Sequence, residues 1–191
     1  MEDYQKYKWF FTASGKLVMG GKSAKQNDDL LKKIKAQGKE RLAMHTSQPG
    51  SPFCIIIANI EDLSQQDIKE CAIFTGCFSR AWKEDKRTTE VDVFKLSQLH
   101  KSKDMNEGTW GVYGKVQKIK VNLELVMIRQ HKILRAVPET AGIGAKIKLT
   151  PGSISKEDIQ PKLEIELNEP LSRDEVLSAL PAGKFRTLKI T

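Results

Sequence analysis

The chain has 191 residues, of which 39% are hydrophobic and 29% charged, a composition typical of a folded globular protein and not of a disordered one. Its longest apolar run, Phe53–Ala58, is too short to cross a bilayer, and no secretory leader is evident at Met1–Tyr4. We therefore expect a cytoplasmic protein with no membrane partner, built around one sizeable core or one domain with a smaller appendage.

The formal net charge is +8, and it is unevenly distributed along the chain. Residues 1–50 carry +5 and residues 101–150 carry +6, whereas residues 51–100 and 151–191 carry −2 and −1. If the fold brings the two basic blocks together, they form one basic face. Such a face is typical of proteins that bind nucleic acid or another polyanion.

The first predicted elements are a hairpin and a helix. Lys8–Thr12 and Lys16–Gly20 are strand-like and are joined by the turn Ala13–Gly15. A helix is predicted over Ala24–Gln37, with Gly38 as its stop signal.

The junction between that hairpin and that helix is the most informative segment of the chain. Gly20 and Gly21 permit close backbone approaches, and Lys22 and Lys25 add positive charge beside a helix N-terminus, where anions are stabilised. The helix opens with the cap-like residues Gln26, Asn27 and Asp28. The pattern predicts either a seat for a phosphate group or a tight turn that needs the same glycines.

The remaining elements alternate between strands and two further helices. The helices are Ser64–Lys83, opened by a near capping box at Ser64 and Asp67, and Ser172–Leu180. From Lys118 to Met127 apolar and polar residues alternate, which predicts one half-exposed strand. Further strands are predicted at Arg41–His45, Phe53–Ala58, Val91–Phe94, Ile133–Val137, Ala145–Leu149, Leu163–Leu167 and Phe185–Ile190.

The predicted fold class is therefore α+β. We expect a mixed or antiparallel sheet with two main helices, followed by a smaller β-rich carboxy-terminal unit. The corresponding division is residues 1–117 and residues 118–191.

The chain offers little for metal or nucleophilic chemistry. No two of its histidines share a metal-like spacing with a cysteine. Gly20–Ser23 matches only the last residues of a Walker phosphate loop, because the upstream glycine of that motif is absent at the required distance. The cysteines Cys54, Cys71 and Cys77 lie in apolar or helical settings, which predicts reduced core residues. We expect no metal, no cofactor and no catalytic residue.

Several polar and aromatic residues have two interpretations each. His45 either fixes the loop before Pro49 or contacts a phosphate or base. Lys101 and Lys103 form either a solvated cluster or a phosphate-contacting finger. Trp110 follows this loop and is the best candidate for stacking on a base.

Taken in order, these features resemble the RNA-binding domain of the NFACT family (NFACT-R). The resemblance covers roughly residues 7–116 and includes the Ile55-Ile56-Ile57 strand. The positions that carry it are Gly21, Lys22, Gln26, Asn27, Asp28, His45, Gly50, Ser51, Ala72, Ser79, Ala81, Trp82, Val91, Val93, Lys101, Lys103 and Gly108. Two departures are Pro52, where the family commonly has histidine, and the loop Lys101–Asp104, where the family has Lys-Pro-Lys-Gly. The elongation of stalled nascent chains by multidomain members is not expected here, because their other domains do not precede Met1.

The resemblance implies a non-enzymatic module that binds structured RNA, such as tRNA or rRNA, in ribosome quality control or RNA processing. Phosphates would lie on lysines and on helix N–H groups near Asn27 and Asp28, whereas His45, Ser51 and Trp110 would contact sugar or base. The implied RNA-binding residues are Lys22, Lys25, Gln26, Asn27, Asp28, His45, Gly50, Ser51, Lys101, Lys103, Trp110 and Lys115.

Three alternatives stay open from the residues themselves. The chain could be a protein adaptor that docks on the ribosome or on an RNA-modifying enzyme through residues 118–191. The same groove could bind DNA. A nucleic-acid-processing enzyme could gather Asp28, His45 and a carboxylate such as Asp92 or Asp104 around a metal.

Overall fold

A computed structural model describes residues 3–190, which form twelve strands and five α-helices. Met1, Glu2 and Thr191 lie outside the described residues. Met1 and Glu2 belong to the segment at which no secretory leader was expected. The first elements are β1 (Lys8–Phe11), β2 (Leu17–Gly20), α1 (Ala24–Lys35), β3 (Leu42–Thr46), β4 (Cys54–Ile56), α2 (Gln65–Cys77), α3 (Arg80–Lys83) and β5 (Thr88–Lys95). They are followed by β6 (Leu99–His100), β7 (Gly111–Val112), β8 (Gln117–Asn122), β9 (Leu125–Gln130), β10 (Ile133–Val137), β11 (Ile147–Ile154), α4 (Lys156–Leu167), α5 (Arg173–Ala179) and β12 (Phe185–Lys189).

The strands form two main antiparallel sheets. The first has the order β1-β2-β4-β3-β5-β8, the second has the order β10-β9-β11-β12, and β6 and β7 make a separate two-stranded ladder. The predicted α+β class with a β-rich carboxy-terminal sheet is confirmed.

The two long helices of the first half cover opposite faces of the six-stranded sheet. Leu30 and Ile34 of α1 pack in one apolar cluster with Ile55, whereas Phe74 of α2 packs in the other with Ile56. Adjacent residues of one strand thus point into two different cores, as the two-residue period of a strand requires. The α2 side also contains apolar residues of the second sheet, so both sheets share one core.

Local sequence signals explain most of the elements. The β1–β2 hairpin is confirmed, and Gly15 adopts the φ of +83° that its turn needs. Helix α1 ends at Lys35, close to the predicted end, and Gly38 follows with a φ of +66°. The strands predicted around β3, β4, β5, β10, β11 and β12 are confirmed, as is α5.

The three cysteines are also confirmed as reduced core residues. All are buried and unpaired, and burial raises the pKa of the Cys54 thiol to about 12. These thiols are therefore protonated and unreactive at neutral pH.

The helix predicted over Ser64–Lys83 is interrupted at Phe78 and Ser79, so the prediction of one continuous helix is wrong there. Its capping box forms as expected, because Ser64 and Asp67 bond each other's backbone N–H. At the other end, Ser79 Oγ donates to Gly76 O at 2.6 Å and accepts from Ala81 N at 3.2 Å. This hydroxyl caps a new helix, α3, and ends α2.

The single strand predicted from Lys118 to Met127 is two strands in different sheets. Strand β8 pairs with β5 in the first sheet, whereas β9 pairs with β10 and β11 in the second. Between them the chain bends at Leu123, whose N–H donates to Arg87 O at 2.9 Å. The division at residues 117 and 118 stays a proposal, and β8 lies in the first sheet.

The strand predicted at Leu163–Leu167 is wrong, because these residues form the end of α4. Ser155 Oγ caps this helix by accepting from Asp158 N at 3.1 Å. Ile159 and Leu163, four residues apart, are buried, whereas Ile165 is 76% exposed. The helical spacing therefore decides the burial, and the alternation from Leu163 onward is coincidental.

Candidate nucleic-acid interface

A cavity of about 490 Å³ opens on the first sheet between three segments of the chain. They are the start of α1, the loop that joins β3 to β4, and the segment that leads into β7. Phe53 and Phe94 supply apolar wall, and Asp92 and Glu107 supply acid. The other lining residues are Ala24, Asn27, His45, Thr46, Ser47, Pro49, Gly50, Ser51, Gly108, Thr109, Trp110 and Val112.

The start of α1 is fixed by bonds within its first turn. Ser23 is the N-cap, and its Oγ accepts from Gln26 N at 3.1 Å. Asn27 N donates to Ser23 O at 2.9 Å, so this N–H is used within the helix. That a phosphate binds helix N–H groups near Asn27 and Asp28 stays a prediction, and the N–H of Asn27 itself is already used. Gln26 is also engaged, since its Oε1 accepts from Lys22 N at 2.7 Å.

Gly21 and Asn27 join the helix to the neighbouring strand. A Cβ on Gly21 would lie 2.7 Å from Asn27 N and closer still to the Asn27 side chain, so glycine is required here. Asn27 Oδ1 accepts from Phe53 N at 3.1 Å, and the Asn27 side chain is buried. This contact positions the phenyl ring of Phe53 at the cavity.

Asp28 anchors the segment on the opposite side of the cavity. Its Oδ1 accepts from Trp110 Nε1 at 2.8 Å, and its Oδ2 lies 3.1 Å from Lys101 Nζ. Burial raises the pKa of Asp28, but hydrogen bonds from Trp110, the Gly108 backbone and Lys101 outweigh it, so the net pKa is lowered. Asp28 is thus ionised and holds Trp110 at the cavity wall.

Lys101 points inward and serves the loop that carries it. Its Nζ donates to Asn106 O at 2.7 Å and to Thr109 O at 2.8 Å, in addition to Asp28. The side chain is only 17% exposed. All three ammonium hydrogens therefore have partners, whereas Lys103 in the same loop is exposed.

His45 lies at the end of β3 and faces the β3–β4 loop. Its Nδ1 lies 2.7 Å from Thr46 O, which assigns the proton to Nδ1 and leaves the Nε2 lone pair as an acceptor. Burial lowers the pKa of His45, although the bond to Thr46 and the charge of Asp92 act in the other direction. The ring is therefore neutral at pH 7, and it packs 4.6 Å from the ring of Phe53.

The β3–β4 loop is closed by its own side chains. Ser51 Oγ accepts from Thr46 N at 2.9 Å, and Thr46 Oγ1 donates to Gln48 O at 2.6 Å. Gly50 adopts a φ of +101° and its carbonyl accepts from Arg80 N at 2.7 Å. Gly50 and Ser51 thus shape the rim, and Ser51 Oγ uses one lone pair to accept the N–H of Thr46.

Two acidic residues of β5, Glu90 and Asp92, form a rim at the cavity, and Lys118 pairs with both. Ser47 Oγ donates to Asp92 Oδ1 at 2.5 Å, and Lys118 Nζ lies 2.8 Å from Asp92 and 3.2 Å from Glu90. Asp92 is therefore paired within the rim. In the described part of the chain, no three histidine, cysteine or acidic residues form a group that could hold a metal.

The structure brings part of the predicted site together. Asn27, His45, Gly50, Ser51 and Trp110 line one cavity, although three separate segments supply them. The other predicted residues do not line it; these are Lys22, Lys25, Gln26, Asp28, Lys101, Lys103 and Lys115. Their part in RNA binding stays a prediction.

Sequence reasoning named Trp110 but missed three other aromatic residues, of which only Phe53 and Phe94 line the cavity. Phe53 and Phe94 form its wall, and Tyr113, which is 64% exposed, stacks on His100 with ring centroids 3.9 Å apart. Phe53 follows the Gly50-Ser51-Pro52 turn directly, which is a signal that could have placed it there. Nothing in the sequence pairs His100 with Tyr113.

Residues 6–114 match the family model described as the NFACT protein RNA binding domain. The chain belongs to this family. The matched residues of the NFACT-R domain contain α1, the β3–β4 loop and Trp110, and therefore the segments that form the cavity.

Two known proteins resemble part of the chain. It is 30% identical over 104 residues to the archaeal Rqc2 homolog aRqcH of Methanocaldococcus jannaschii, a match that covers 54% of this chain and 15% of that protein. The chain thus matches a small part of that relative. A solved structure, the C-terminal part of the fibronectin/fibrinogen-binding protein from Streptococcus suis, shares the fold with a TM-score of 0.53 and 24% identity. That likeness covers 61% of this chain and 45% of the other.

Within residues 3–190, no helix is both long enough and apolar enough to cross a bilayer.

Proposed function

We propose that the chain binds structured RNA, such as tRNA or rRNA, on the ribosome or during RNA processing, and that it does so without catalysis. The observation that carries this proposal is the single cavity lined by Asn27, His45, Gly50, Ser51 and Trp110. All five lie within residues 6–114, the range that matches the RNA-binding domain model, and they come from segments far apart in sequence.

The cavity is suited to a nucleoside and not to a phosphate. Glu107 would repel a phosphate placed inside it, whereas the half-buried Trp110 offers an aromatic surface to a base beside the apolar wall of the nearly buried Phe53 and Phe94. The Nε2 lone pair of His45 would accept a hydrogen bond from a base amino group or a ribose 2′-hydroxyl. An unpaired base is the natural occupant, because paired bases are not exposed to such a pocket.

Phosphates would lie outside the cavity, on exposed lysines. Lys25 is at the start of α1, Lys103 is in the segment that leads to Trp110, and Lys115 follows β7. These cations make affinity dependent on salt, whereas the cavity supplies the preference for unpaired bases.

The test is binding of tRNA, a structured rRNA fragment and duplex DNA across a salt series, followed by fluorescence anisotropy. We would compare the natural chain with His45→Ala and with the double variant Lys25→Gln/Lys103→Gln. The matched control is Lys33→Gln/Lys39→Gln, which removes two exposed charges from the other end of α1 and the loop after it.

We expect RNA affinity to fall in both site variants and to stay unchanged in the control. The lysine double variant should also flatten the dependence of log K on log salt by about 0.7 for each lost phosphate contact. Absence of RNA binding by the natural chain at physiological salt would overturn the proposal and favour a protein adaptor. Equal affinity for duplex DNA would overturn the preference for RNA.

A further inference from the structure

One aromatic side chain in residues 3–190 is largely exposed, that of Tyr113, which directly follows strand β7. Tyr113 is 64% exposed, whereas every other phenylalanine, tyrosine and tryptophan of the described chain is buried or half-buried. Tyrosine is enriched at binding surfaces, because one ring supplies both apolar area and a polar tip. This ring is therefore a candidate contact for a ligand.

One face of the Tyr113 ring is already covered by His100. The two ring planes are 21° apart and their centroids are 3.9 Å apart, which is a stacked arrangement. The His100 ring in turn lies over Gly111, its partner in the β6–β7 ladder, where a Cβ would overlap the imidazole. The stack thus requires glycine at position 111, and it leaves the second face of Tyr113 open to solvent. We call the stacked rings of Tyr113 and His100 the tyrosine platform.

Hydrogen bonds fix the main chain of the tyrosine platform. Tyr113 N donates to Gln98 O at 2.8 Å, and Gln98 Nε2 donates to Tyr113 O at 2.8 Å and to Lys115 O at 2.9 Å. No described residue bonds to the buried Nδ1 of His100, so the stack, and not a hydrogen bond at that atom, orients the imidazole. A ring that is ordered before binding loses less conformational entropy when a ligand stacks on it.

The tyrosine platform is next to the cavity of the candidate interface. Trp110 and Val112 line that cavity, and Tyr113 is the next residue of the chain. The distance from Trp110 to Tyr113 is at most about 10 Å, because each residue of an extended chain adds about 3.3 Å. One segment of RNA can therefore contact both the cavity and the platform.

The path between the two places requires a flexible strand. Side chains alternate along a strand, so Val112 faces the cavity and Tyr113 faces the other side of the β6–β7 ladder. A segment that enters the cavity must pass over Val112, which is itself 37% exposed, to reach Tyr113. Unpaired nucleotides can follow such a bend and splay their bases apart, whereas the bases of a helical stem stay paired and stacked.

The charge beside the tyrosine platform favours a nucleotide over an apolar protein surface. Lys115, two residues after Tyr113, is exposed and takes part in no ion pair among the described residues. The main chain of Lys115 is tied to Gln98 together with that of Tyr113. A stacking ring with a free cation close by in the chain matches the base and the phosphate of one nucleotide.

We propose that Tyr113 stacks on a second unpaired base of the RNA whose first unpaired base occupies the cavity. This inference rests on the proposed function. It defines the preferred RNA as one with at least two unpaired nucleotides in one segment, such as a loop or a single-stranded end. A fully paired stem offers neither contact.

The test compares the binding of two RNAs to the full chain by fluorescence anisotropy, a hairpin with an unpaired loop and a fully paired RNA duplex. Tyr113→Ala removes the ring, Tyr113→Leu keeps an apolar side chain without a ring, and Tyr113→Phe keeps the ring. The matched control is Ile143→Ala, which removes an apolar side chain that is 84% exposed in the carboxy-terminal half. Thermal melting checks that each variant folds.

We expect the affinity of Tyr113→Ala and of Tyr113→Leu for the hairpin to fall about tenfold, as for the loss of one stacked base, and that of Tyr113→Phe to stay within about twofold. The dependence of log K on log salt should not change, because no phosphate contact is lost. Affinity for the duplex should be the same in all variants, and Ile143→Ala should match the natural chain with both RNAs.

Unchanged affinity of a folded Tyr113→Ala variant for the hairpin would overturn the inference, even while His45→Ala still weakens binding and the proposed function stands. Full affinity in Tyr113→Leu would also overturn it, because the side chain would then supply apolar contact without stacking. An equal loss with the duplex would overturn it as well, since a duplex has no free base to stack. Failure of the natural chain to bind either RNA would overturn the proposed function itself.

Discussion

The side-chain amide of Gln130 pairs with the main chain of Phe11. Its Oε1 accepts from Phe11 N at 2.8 Å, and its Nε2 donates to Phe11 O at 2.7 Å. Phe11 belongs to β1, which lies at the edge of the six-stranded sheet, and Gln130 ends β9 of the second sheet. The side-chain amide of Gln130 therefore makes the two hydrogen bonds that a neighbouring strand would make with the edge strand β1. It also connects the first sheet to the second.

Replacing Gln130 by alanine should leave the N–H and carbonyl of Phe11 without these partners. Because two partly buried hydrogen bonds are lost, we expect the free energy of unfolding to fall by about 1–2 kcal/mol. Urea denaturation followed by circular dichroism measures this. Gln65→Ala, at the exposed first position of α2, is the control and should change stability by less than about 0.5 kcal/mol. Equal effects of the two variants would show that the amide clamp adds nothing.

Gly21→Ala tests the close contact between the glycine turn and Asn27. The added methyl group would displace Asn27 and loosen its bond to Phe53 N, so RNA affinity should fall at least tenfold and stability by roughly 1–3 kcal/mol. The readouts are anisotropy with tRNA and urea denaturation. Gly15→Ala is the control, because it has open space at the Cβ position but a φ of +83°. It should lose about 1 kcal/mol of stability from backbone strain while keeping its affinity for RNA.

The sequence predicts the parts of the site that depend on local chain geometry. Gly21, Asn27, Gly50 and Ser51 stand at turns and helix starts, where few residue types fit, so their pattern is informative. His45 ends a strand next to such a turn. The turns and the helix start that carry these residues come together because they follow neighbouring strands of the first sheet. The hydrophobic pattern of the sequence predicts those strands.

The direction of long side chains and the pairing of distant segments could not be predicted in the same way. Lys101 looks like an exposed finger in sequence, but Asp28 and two loop carbonyls draw it inward. Helix α4 was not predicted, because the spacing of Leu163 and Ile165 matches the two-residue period of a strand. In the structure the helix buries Leu163 but leaves Ile165 exposed.

Asp67 makes stability depend on pH in acid. It is 2% exposed, and although burial raises its pKa, hydrogen bonds from Ser14, Thr12 and Ser64 lower it to about 2. Because the folded pKa lies below the ordinary value of 3.8, this contribution is complete above about pH 4 and is lost as the pH falls toward 2.

Asp67→Asn should therefore lower the free energy of unfolding by about 2 kcal/mol at pH 7, and the difference should shrink below pH 4. Urea denaturation at pH 7, 4 and 3 measures both values. Asp174→Asn changes an exposed acid in the first turn of α5 and should have little effect at any of these pH values. A difference between Asp67→Asn and the natural chain that is the same at pH 7 and pH 3 would contradict the assigned titration.

The proposed division of the chain leads to a last prediction, because the first half does not bury its own apolar surface. Trp82 of α3 lies against Phe185 with ring centroids 5.7 Å apart, and its Nε1 donates to Lys184 O at 3.0 Å. Strand β8, which begins at Gln117, completes the first sheet beside β5. A fragment of residues 1–117 would expose Trp82, would leave β5 without β8 and would lack the Gln130 clamp on β1.

We therefore expect that fragment to unfold at a lower urea concentration than the full chain and to bind a hydrophobic dye such as ANS, whereas the full chain unfolds in one transition. Tryptophan fluorescence and circular dichroism should give coincident curves for the full chain, since both sheets share one core. Equal midpoints for fragment and full chain would contradict this, and two separate transitions would show that the halves fold independently.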